Sequence, residues 1–259
     1  MIAEASLPPH DPDAVRAAAA DLVARVTGLD GVTLLEAVLR TEFPGRIALV
    51  SSFGTESAVL LALAAEIDPA VPVLFLDTGK LFGETKRYRD GLAARLGLTD
   101  VRTLKPEPSE VAAVDHDDLL FHRDADTCCH VRKVVPLERA LAGFAAWISG
   151  RKRYHGATRA ELPVVEVDRA WIKINPLTNW SREQIEAEFQ RRNLPAHPLE
   201  ADGFLSVGCM PCSSRVAPGT DVRAGRWAGK DKTECGIHRP ADGVLADGVS
   251  GIEPVQTAA

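Results

Sequence analysis

The five cysteines of this 259-residue chain are the residues whose types and spacing most directly suggest chemistry. The adjacent pair Cys128 and Cys129 and the Cys-x-x-Cys pair Cys209 and Cys212 account for four of them, and Cys235 stands apart in KTECGIH. Four thiolates suit an iron–sulfur cluster or zinc, because both centres favour soft ligands. Adjacent ligands are unusual in structural zinc sites, so the spacing favours a cluster with a separate reactive thiol.

Two disulfides and a free thiol are the alternative interpretation of the same cysteines. The N-terminal sequence MIAEASLPPHDPDAV lacks the basic and apolar regions of a secretory signal. We therefore expect a cytoplasmic protein. In a reducing cytosol, paired cysteines bind metal or carry out redox chemistry more often than they form structural bridges.

Small polar residues follow two predicted strands. IALVSSFGTES places Ser51, Ser52 and Gly54 between a strand and a helix, where backbone N–H groups face an anion at the positive end of the helix. A turn and a helix cap explain these residues equally well. The next strand ends in LDTG, residues 76–79, and open α/β sheets bind ligands at the carboxyl ends of their strands. Together the two strand ends are equally compatible with nucleotide binding and with a purely structural role.

Basic residues flank both cysteine pairs. Lys133 lies one helical turn beyond Cys129 if TCCHVRK opens a helix, and Arg223 and Arg226 follow the second pair in DVRAGRW. Such cations can tune a charged cluster or bind a phosphate or sulfate, although solvated surface charge is the usual role of lysine and arginine. GRKRYHGATR adds a further basic group that ends at Arg159.

Apolar runs that alternate with amphipathic segments predict one α/β domain, with a parallel sheet covered by helices. The predicted strands are Ile47–Ser51, Val71–Asp77, Val101–Leu104, Ala146–Ser149 and Trp171–Ile174. The predicted helices are two within the first forty residues, then Glu56–Ile67, Phe82–Leu96, Val131–Leu141 and Arg182–Arg192, the last capped by Ser181. The domain is expected to span residues 13–238, with an irregular segment over 216–238 and disorder in residues 1–12 and 239–259.

The overall charge limits the classes of partner. A formal net charge of −6 argues against non-specific affinity for nucleic acid or acidic membranes, and no apolar run is long enough to span a bilayer. The expected partner is a small anion bound in a local basic pocket.

These motifs together resemble the assimilatory adenylyl-sulfate (APS) reductases, relatives of the phosphoadenylyl-sulfate (PAPS) reductases. The resemblance covers about residues 45–238 and rests on the two cysteine pairs, on Lys232–His238 and on LDTG, SSFGTES and RAGRW. It implies a Rossmann-like fold of the adenine-nucleotide α-hydrolase type. It also implies reduction of APS to sulfite and AMP, in sulfate assimilation and cysteine biosynthesis.

The resemblance also implies roles for single residues. Cys235 would attack sulfur to give an S-sulfocysteine that thioredoxin, or glutaredoxin, resolves, and His238 would assist it. A [4Fe–4S] cluster would be bound by the two cysteine pairs, Cys128, Cys129, Cys209 and Cys212. The substrate would be bound by Ser51, Ser52, Gly54, Thr78, Lys133, Arg159, Arg223, Arg226 and His238. His238, Arg223 or Arg226 would raise the thiolate fraction of Cys235.

Three alternatives remain open at this stage. The first is a PAPS reductase, which ordinarily lacks the cluster cysteines, or an enzyme of dual specificity. A tRNA-thiolating enzyme with a pyrophosphate loop would need a basic RNA surface, which a net charge of −6 does not suggest. A zinc-stabilised binding module would leave Cys235 and LDTG unexplained. The sequence does not decide between a monomer and a homo-oligomer.

Overall fold

The structure is a computed structural model that describes residues 11–156, 159–217 and 219–238. The terminal segments predicted to be disordered lie outside these residues, apart from Asp11 and Pro12. Asp11 caps the first helix, which begins at Pro12.

Six strands form one sheet at the centre of the described chain. They are β1 (Ile47–Ser51), β2 (Val73–Leu76), β3 (Val101–Leu104), β4 (Ala146–Ser149), β5 (Val165–Asp168) and β6 (Trp171–Ile174). The spatial order is β3-β2-β1-β4-β6-β5, with β5 antiparallel to β6 and all other pairs parallel. The predicted parallel sheet is confirmed, with a shorter β2 than predicted and an additional antiparallel edge strand, β5.

The helices cover both faces of the sheet. They are α1 (Pro12–Val26), α2 (Gly31–Glu36), α3 (Ser57–Ile67), α4 (Gly83–Leu96), α5 (Pro108–Val114), α6 (Leu120–Arg123), α7 (Ala125–Cys129), α8 (Val135–Leu141) and α9 (Arg182–Arg191). The predicted Ser181 cap of α9 is confirmed, because Ser181 accepts a hydrogen bond from the backbone N–H of Gln184. The predicted helix Val131–Leu141 is α8 preceded by a π-helical turn, His130–Val134, that joins it to α7.

Alternate residues of each strand enter two separate cores. Leu49, Phe75 and Ile148 pack with α3 and α9 on one face. Val50 and Trp147 pack with α8 and with Ile237 near the C-terminal end of the described chain on the other. Because both faces are covered, β1 is buried along its whole length, as expected for an internal parallel strand.

The strand order reverses between β1 and β4. From β1 the chain proceeds outward through β2 and β3, whereas β4, β6 and β5 fill the other half of the sheet. The loops after β1 and β4 therefore diverge and leave a crevice at their carboxyl ends, where sheets of this kind bind ligands. Within the described residues, no helix combines the length and apolar character needed to cross a membrane.

Candidate active site

The loop after β1 forms one wall of the crevice. Ser51 Oγ accepts a hydrogen bond of 3.1 Å from the backbone N–H of Phe53. Phe53 adopts a left-handed backbone conformation, with φ of 47°, and its ring packs edge-on against Phe75 at 5.5 Å. A Cβ atom on Gly54 would lie 3.2 Å from the carbonyl oxygen of Val207, so glycine permits the loop to approach the C-terminal part of the chain.

A cavity of about 200 Å³ occupies the crevice. Its wall is formed by the loops after β1 and β4 and by three stretches of the C-terminal part, residues 205–209, 222–227 and 234–238. Thr55 Oγ1 donates a hydrogen bond of 2.9 Å to the carbonyl of Leu205 and so ties the first loop to the first of these stretches. The cavity therefore lies between the sheet and a segment that follows it in sequence.

Most of the predicted substrate-binding residues line this one cavity. They are Ser51, Ser52, Gly54, Lys133, Arg159, Arg223, Arg226 and His238, and Cys235 lines it as well. Thr78 is the exception: its hydroxyl lies 3.2 Å from Cys209 Sγ, and it lines a separate small cavity beside the cysteines. The expected place of Thr78 near the phosphosulfate stays a prediction, and in the structure its hydroxyl contacts the second cysteine pair.

The four predicted cluster ligands surround that small cavity. Cys128 and Cys129 end α7, Cys209 and Cys212 bound the short turn Met210–Cys212, and all four are buried and free of disulfides. Burial raises the pKa of Cys128 and of Cys212 and outweighs the opposing effect of nearby cations, Arg132 at the first and Lys133 at the second. Among the described residues, no three Cys, His, Asp or Glu side chains are grouped closely enough to hold a single metal ion. Four buried free thiols that line one cavity are compatible with a metal cluster.

Arg132 supports the cysteine site and was not identified from the sequence. Its guanidinium donates to Asp115 at 2.7 Å and to the carbonyl oxygen of Thr78 at 3.0 Å, and both side chains of the ion pair are almost fully buried. Since Thr78 in turn contacts Cys209, one cation connects the π-helical turn to the second cysteine pair. Only the three-dimensional fold brings these residues together, because Arg132 and Thr78 are 54 positions apart.

Cys235 lies at the boundary between the two cavities. Its Sγ is 3.4 Å from Lys133 Nζ, and its side chain packs against Cys209, Cys212 and Trp227. A hydrogen bond from Cys129 and the charges of Lys133 and Arg226 hold the pKa of Cys235 well below its usual range, although burial opposes them. Lys133 is half-buried beside these sulfurs, and their charges raise its pKa although desolvation opposes them. The sequence predicted Lys133 near the cluster cysteines and the substrate, and the structure adds its contact with Cys235.

His238 does not supply charge to the thiol. Burial, together with Lys173 and Arg151, lowers the pKa of His238 well below its usual value, so the ring is neutral near pH 7. The imidazole stacks on Trp147, with ring centroids 6.2 Å apart. Of the residues suggested from the sequence, Arg226 contributes to lowering the pKa of Cys235, together with Lys133, whereas a neutral His238 adds no charge. A neutral His238 on the cavity wall can still donate or accept a hydrogen bond.

The three predicted arginines are held in different ways. Arg159 forms a two-point ion pair with Glu234, at 2.5 and 2.8 Å, and Arg223 lies 3.3 Å from the same carboxylate. Arg226 stacks over Trp227 at 4.5 Å and lies so close to Gly208 that any Cβ there would overlap its guanidinium. Glu234 thus joins the loop after β4 to the residues that precede Cys235.

Two further cations and a carboxylate in the cavity wall were not selected from the sequence. Arg151 and Lys152, from GRKRY, are buried and line the cavity, whereas Arg153 lies on the outside. Lys152 pairs with Glu56, which is 96 positions away. The basic run is evident in the sequence, but no local pattern indicates which of its side chains face the cavity.

Comparisons with known proteins agree with this arrangement. Residues 46–215 match the phosphoadenosine phosphosulfate reductase domain. The chain is 50% identical to the adenosine 5′-phosphosulfate reductase of Mesorhizobium japonicum over 87% of this chain and 89% of that protein. It is 42% identical to the phosphoadenosine 5′-phosphosulfate reductase of Gloeobacter violaceus over 76% of this chain and 83% of that protein. The crystal structure of a PAPS reductase from Candida auris, a phosphate complex, superposes with a TM-score of 0.60 at 27% identity, over 80% of this chain and 98% of that one.

Proposed function

This chain belongs to the phosphoadenosine phosphosulfate reductase domain family, and we propose that it reduces APS to sulfite and AMP in sulfate assimilation. The observation that carries the proposal is the position of Cys235, whose sulfur lies 3.4 Å from Lys133 Nζ at the edge of a cation-lined cavity. That cavity opens at the carboxyl ends of β1 and β4, where a nucleotide is expected.

In the proposed reaction, the Cys235 thiolate attacks the sulfur of the sulfuryl group. A sulfur–sulfur bond forms, the sulfur–oxygen bond to the phosphate breaks, and AMP leaves with the electron pair. Lys133 and Arg226 stabilise the thiolate before attack and the sulfonate oxygens after it. Arg159 and Arg223 provide further charge for the leaving phosphate.

The S-sulfocysteine is then resolved by a dithiol protein, for which thioredoxin or glutaredoxin is suitable. One of its thiolates attacks Cys235 Sγ and releases sulfite, and its second thiol reduces the resulting mixed disulfide and regenerates the Cys235 thiol. Both electrons of the reduction come from this dithiol. Because free cysteines must persist for the cycle to run, a reducing cytoplasm is the suitable compartment.

Cys128, Cys129, Cys209 and Cys212 would hold a [4Fe–4S] cluster. Burial, free thiols and their arrangement around a cavity support this ligand set. When bound, the cluster would fix the two cysteine pairs and place negative charge beside Lys133. Cys212→Ser replaces a soft ligand by a hard one and should lower the iron content of the anaerobically purified protein, whereas the control Cys235→Ser should keep it. A full iron content in the serine variants of all four cysteines, each made singly, would refute the ligand assignment.

Sulfite release from APS and from PAPS with reduced thioredoxin tests the proposed function. We expect a strong preference for APS, because 50% identity links the chain to a protein named as an APS reductase and all four cluster cysteines are present. Equal or faster turnover of PAPS would refute the specificity. Absence of sulfite from both substrates, in protein that retains iron, would refute the activity.

A further inference from the structure

The side chain of Arg226 lies against the backbone of the second cysteine pair. Its Nε donates a hydrogen bond of 3.2 Å to the carbonyl oxygen of Cys212, and its Cζ lies 4.5 Å from the centre of the Trp227 ring. The guanidinium also covers Gly208, where an added Cβ atom would lie 2.5 Å from Nη1 and 2.6 Å from Cζ of Arg226. Real Cβ atoms do not approach other atoms so closely, so the guanidinium occupies the volume that a side chain at position 208 would fill.

The backbone around this contact is fixed from two sides. Arg226 pairs with Ser213 in an isolated antiparallel bridge. Beside this bridge, the N–H of Ser214 donates to the carbonyl oxygen of Gly225 at 2.8 Å. The N–H of Gly208 donates to Ser213 Oγ at 3.0 Å, so the same serine also holds the residue that the guanidinium covers. Since Ser213 connects both segments, the side chain at position 208 determines the space that is left for the guanidinium.

The guanidinium of Arg226 carries a charge that is available to a ligand. Among the described residues, no Asp or Glu side chain lies within ion-pair distance of it, whereas Arg159 and Arg223 both pair with Glu234. Arg226 is half-buried and lines the same cavity as Cys235. A guanidinium without a carboxylate partner in a cavity wall is a strong hydrogen-bond donor for the oxygens of an anionic ligand.

We propose that Gly208 is a positioning residue for the transfer of the sulfuryl group. Because Gly208 has no side chain, the Arg226 guanidinium can approach the backbone there and present its N–H groups to the terminal anionic group of the nucleotide. The inference rests on the proposed function, which places that terminal group at Cys235. Since Gly208 acts through the guanidinium, its substitution should weaken the binding of the terminal group and leave the binding of the rest of the nucleotide unchanged.

The test compares the affinities for ADP and for AMP, measured by calorimetry, in wild type and in Gly208→Ala. The β-phosphoryl group of ADP is a stable oxyanion in the place of the sulfuryl group, and AMP lacks it. The added methyl group collides with the end of a flexible side chain and not with backbone, so the guanidinium should move while the fold and the iron content are kept. We expect the affinity for ADP relative to AMP to fall at least about tenfold, because one charged hydrogen-bond donor is withdrawn. An unchanged ratio, or equal losses for the two ligands, would overturn the proposal.

Arg226→Ala shows whether Gly208 acts through the guanidinium. In that background, Gly208→Ala should cause no further change in the ratio of the two affinities, and another tenfold fall would contradict the proposal. If Gly208→Ala alone does not fold, the double variant lacks the collision and should fold, with the same ratio as Arg226→Ala. A double variant that does not fold, or that has a lower ratio, would place the role of Gly208 in the loop itself and overturn the proposal.

Gly91→Ala is the matched control, because it makes the same chemical change in α4, where an added Cβ atom meets nothing within 4 Å. It should leave both affinities unchanged. These measurements use binding alone, so they remain valid if sulfite release fails, and that failure would refute the proposed function separately.

Discussion

The two walls of the active-site cavity are built by different means. One wall, here called the nucleotide wall, is formed by the loops after β1 and β4. The backbone groups of these two strands are paired in the sheet, and their side chains fill two cores. The opposite wall, residues 205–238, is here called the thiol segment. Within its described residues, regular structure is limited to the turns Met210–Cys212 and Gly236–His238 and two isolated bridges.

The thiol segment is attached by side-chain contacts and not by a backbone hydrogen-bond ladder. Lys230 donates to the carbonyl of Phe121 at 2.5 Å, Lys232 pairs with Asp126, and Glu234 joins Arg159. A buried strand cannot leave the sheet without exposing its core, whereas the thiol segment has no such ladder to break. The sheet therefore preforms the nucleotide wall, and we propose that the segment that carries the nucleophile opens toward a reductant.

The strongest test of this division is Cys235→Ser. The hydroxyl is far less acidic than the thiol and cannot form the S–S bond that a dithiol attacks, so sulfite production should fall by about 1,000-fold or more. Cluster absorbance and AMP affinity should stay near wild type, because neither depends on this sulfur. With APS and no reductant, the wild-type protein should gain the mass of one SO3 group on Cys235. An adduct on another residue would contradict the mechanism.

Global stability should depend on the sheet more than on the thiol segment. Leu61 in α3 is fully buried, and Leu61→Ala should lower the free energy of unfolding by about 3 kcal/mol in urea titrations. Ile237→Ala removes a comparable side chain from the thiol segment. This substitution should lower the global free energy of unfolding by less than Leu61→Ala does. It should instead speed the hydrogen exchange of backbone amides near Cys235. Equal global losses would show that the segment unfolds together with the sheet.

Glu234→Gln should affect nucleotide binding and the transfer of the sulfuryl group differently. Without the carboxylate, Arg159 and Arg223 lose their shared partner, and the segment loses its link to the loop after β4. We expect kcat to fall about tenfold while AMP binds as well as before or more tightly, because two cations are released. Glu183→Gln, on the first turn of α9, is a control of equal charge change. Weaker AMP binding in Glu234→Gln would contradict this interpretation.

The smallest expected effect is the loss, at acidic pH, of the stability that Glu56 contributes to the nucleotide wall. The pKa of Glu56 is lower in the folded protein than its ordinary value of 4.5, so its contribution is complete above that pH and is lost as the pH falls below it. The difference in unfolding free energy between wild type and Glu56→Gln, of order 1 kcal/mol, should therefore shrink on acidification below pH 4.5. A difference that is constant with pH would show that the ion pair between Glu56 and Lys152 does not stabilise this wall.

Local patterns were sufficient to predict much of the nucleotide wall. β1, β3, β4 and β6 match their predicted bounds, because short apolar runs between turn residues are strong strand signals. β5 was missed, since VEVD is short, carries two acids and is defined by its antiparallel pairing with β6. The helices α5, α6 and α7 were missed for a related reason: they are short, and tertiary contacts stabilise them more than local propensity.

The candidate site likewise contains some residues that the sequence predicts and others that it does not. Motifs identified the residues that converge on the cavity, including Lys133 and the arginines. They did not identify Glu56 or Arg132, whose partners lie 96 and 54 positions away, and they did not indicate the contact between Thr78 and Cys209. Pairings over such separations are set by the fold, and no local pattern records them.

The π-helical turn His130–Val134 makes the cysteine pair sensitive to chain length. It inserts a wider turn between α7, which ends in the thiols, and α8, which packs on the sheet. Because a π-helical turn holds one residue more than an α-helical turn, deleting one residue there can restore a continuous α-helix with Cys128 and Cys129 still in register with the apolar face of α8. Inserting one further residue would instead rotate the two cysteines by about 100° relative to that face, so we expect an insertion in this turn to be less tolerable than a deletion.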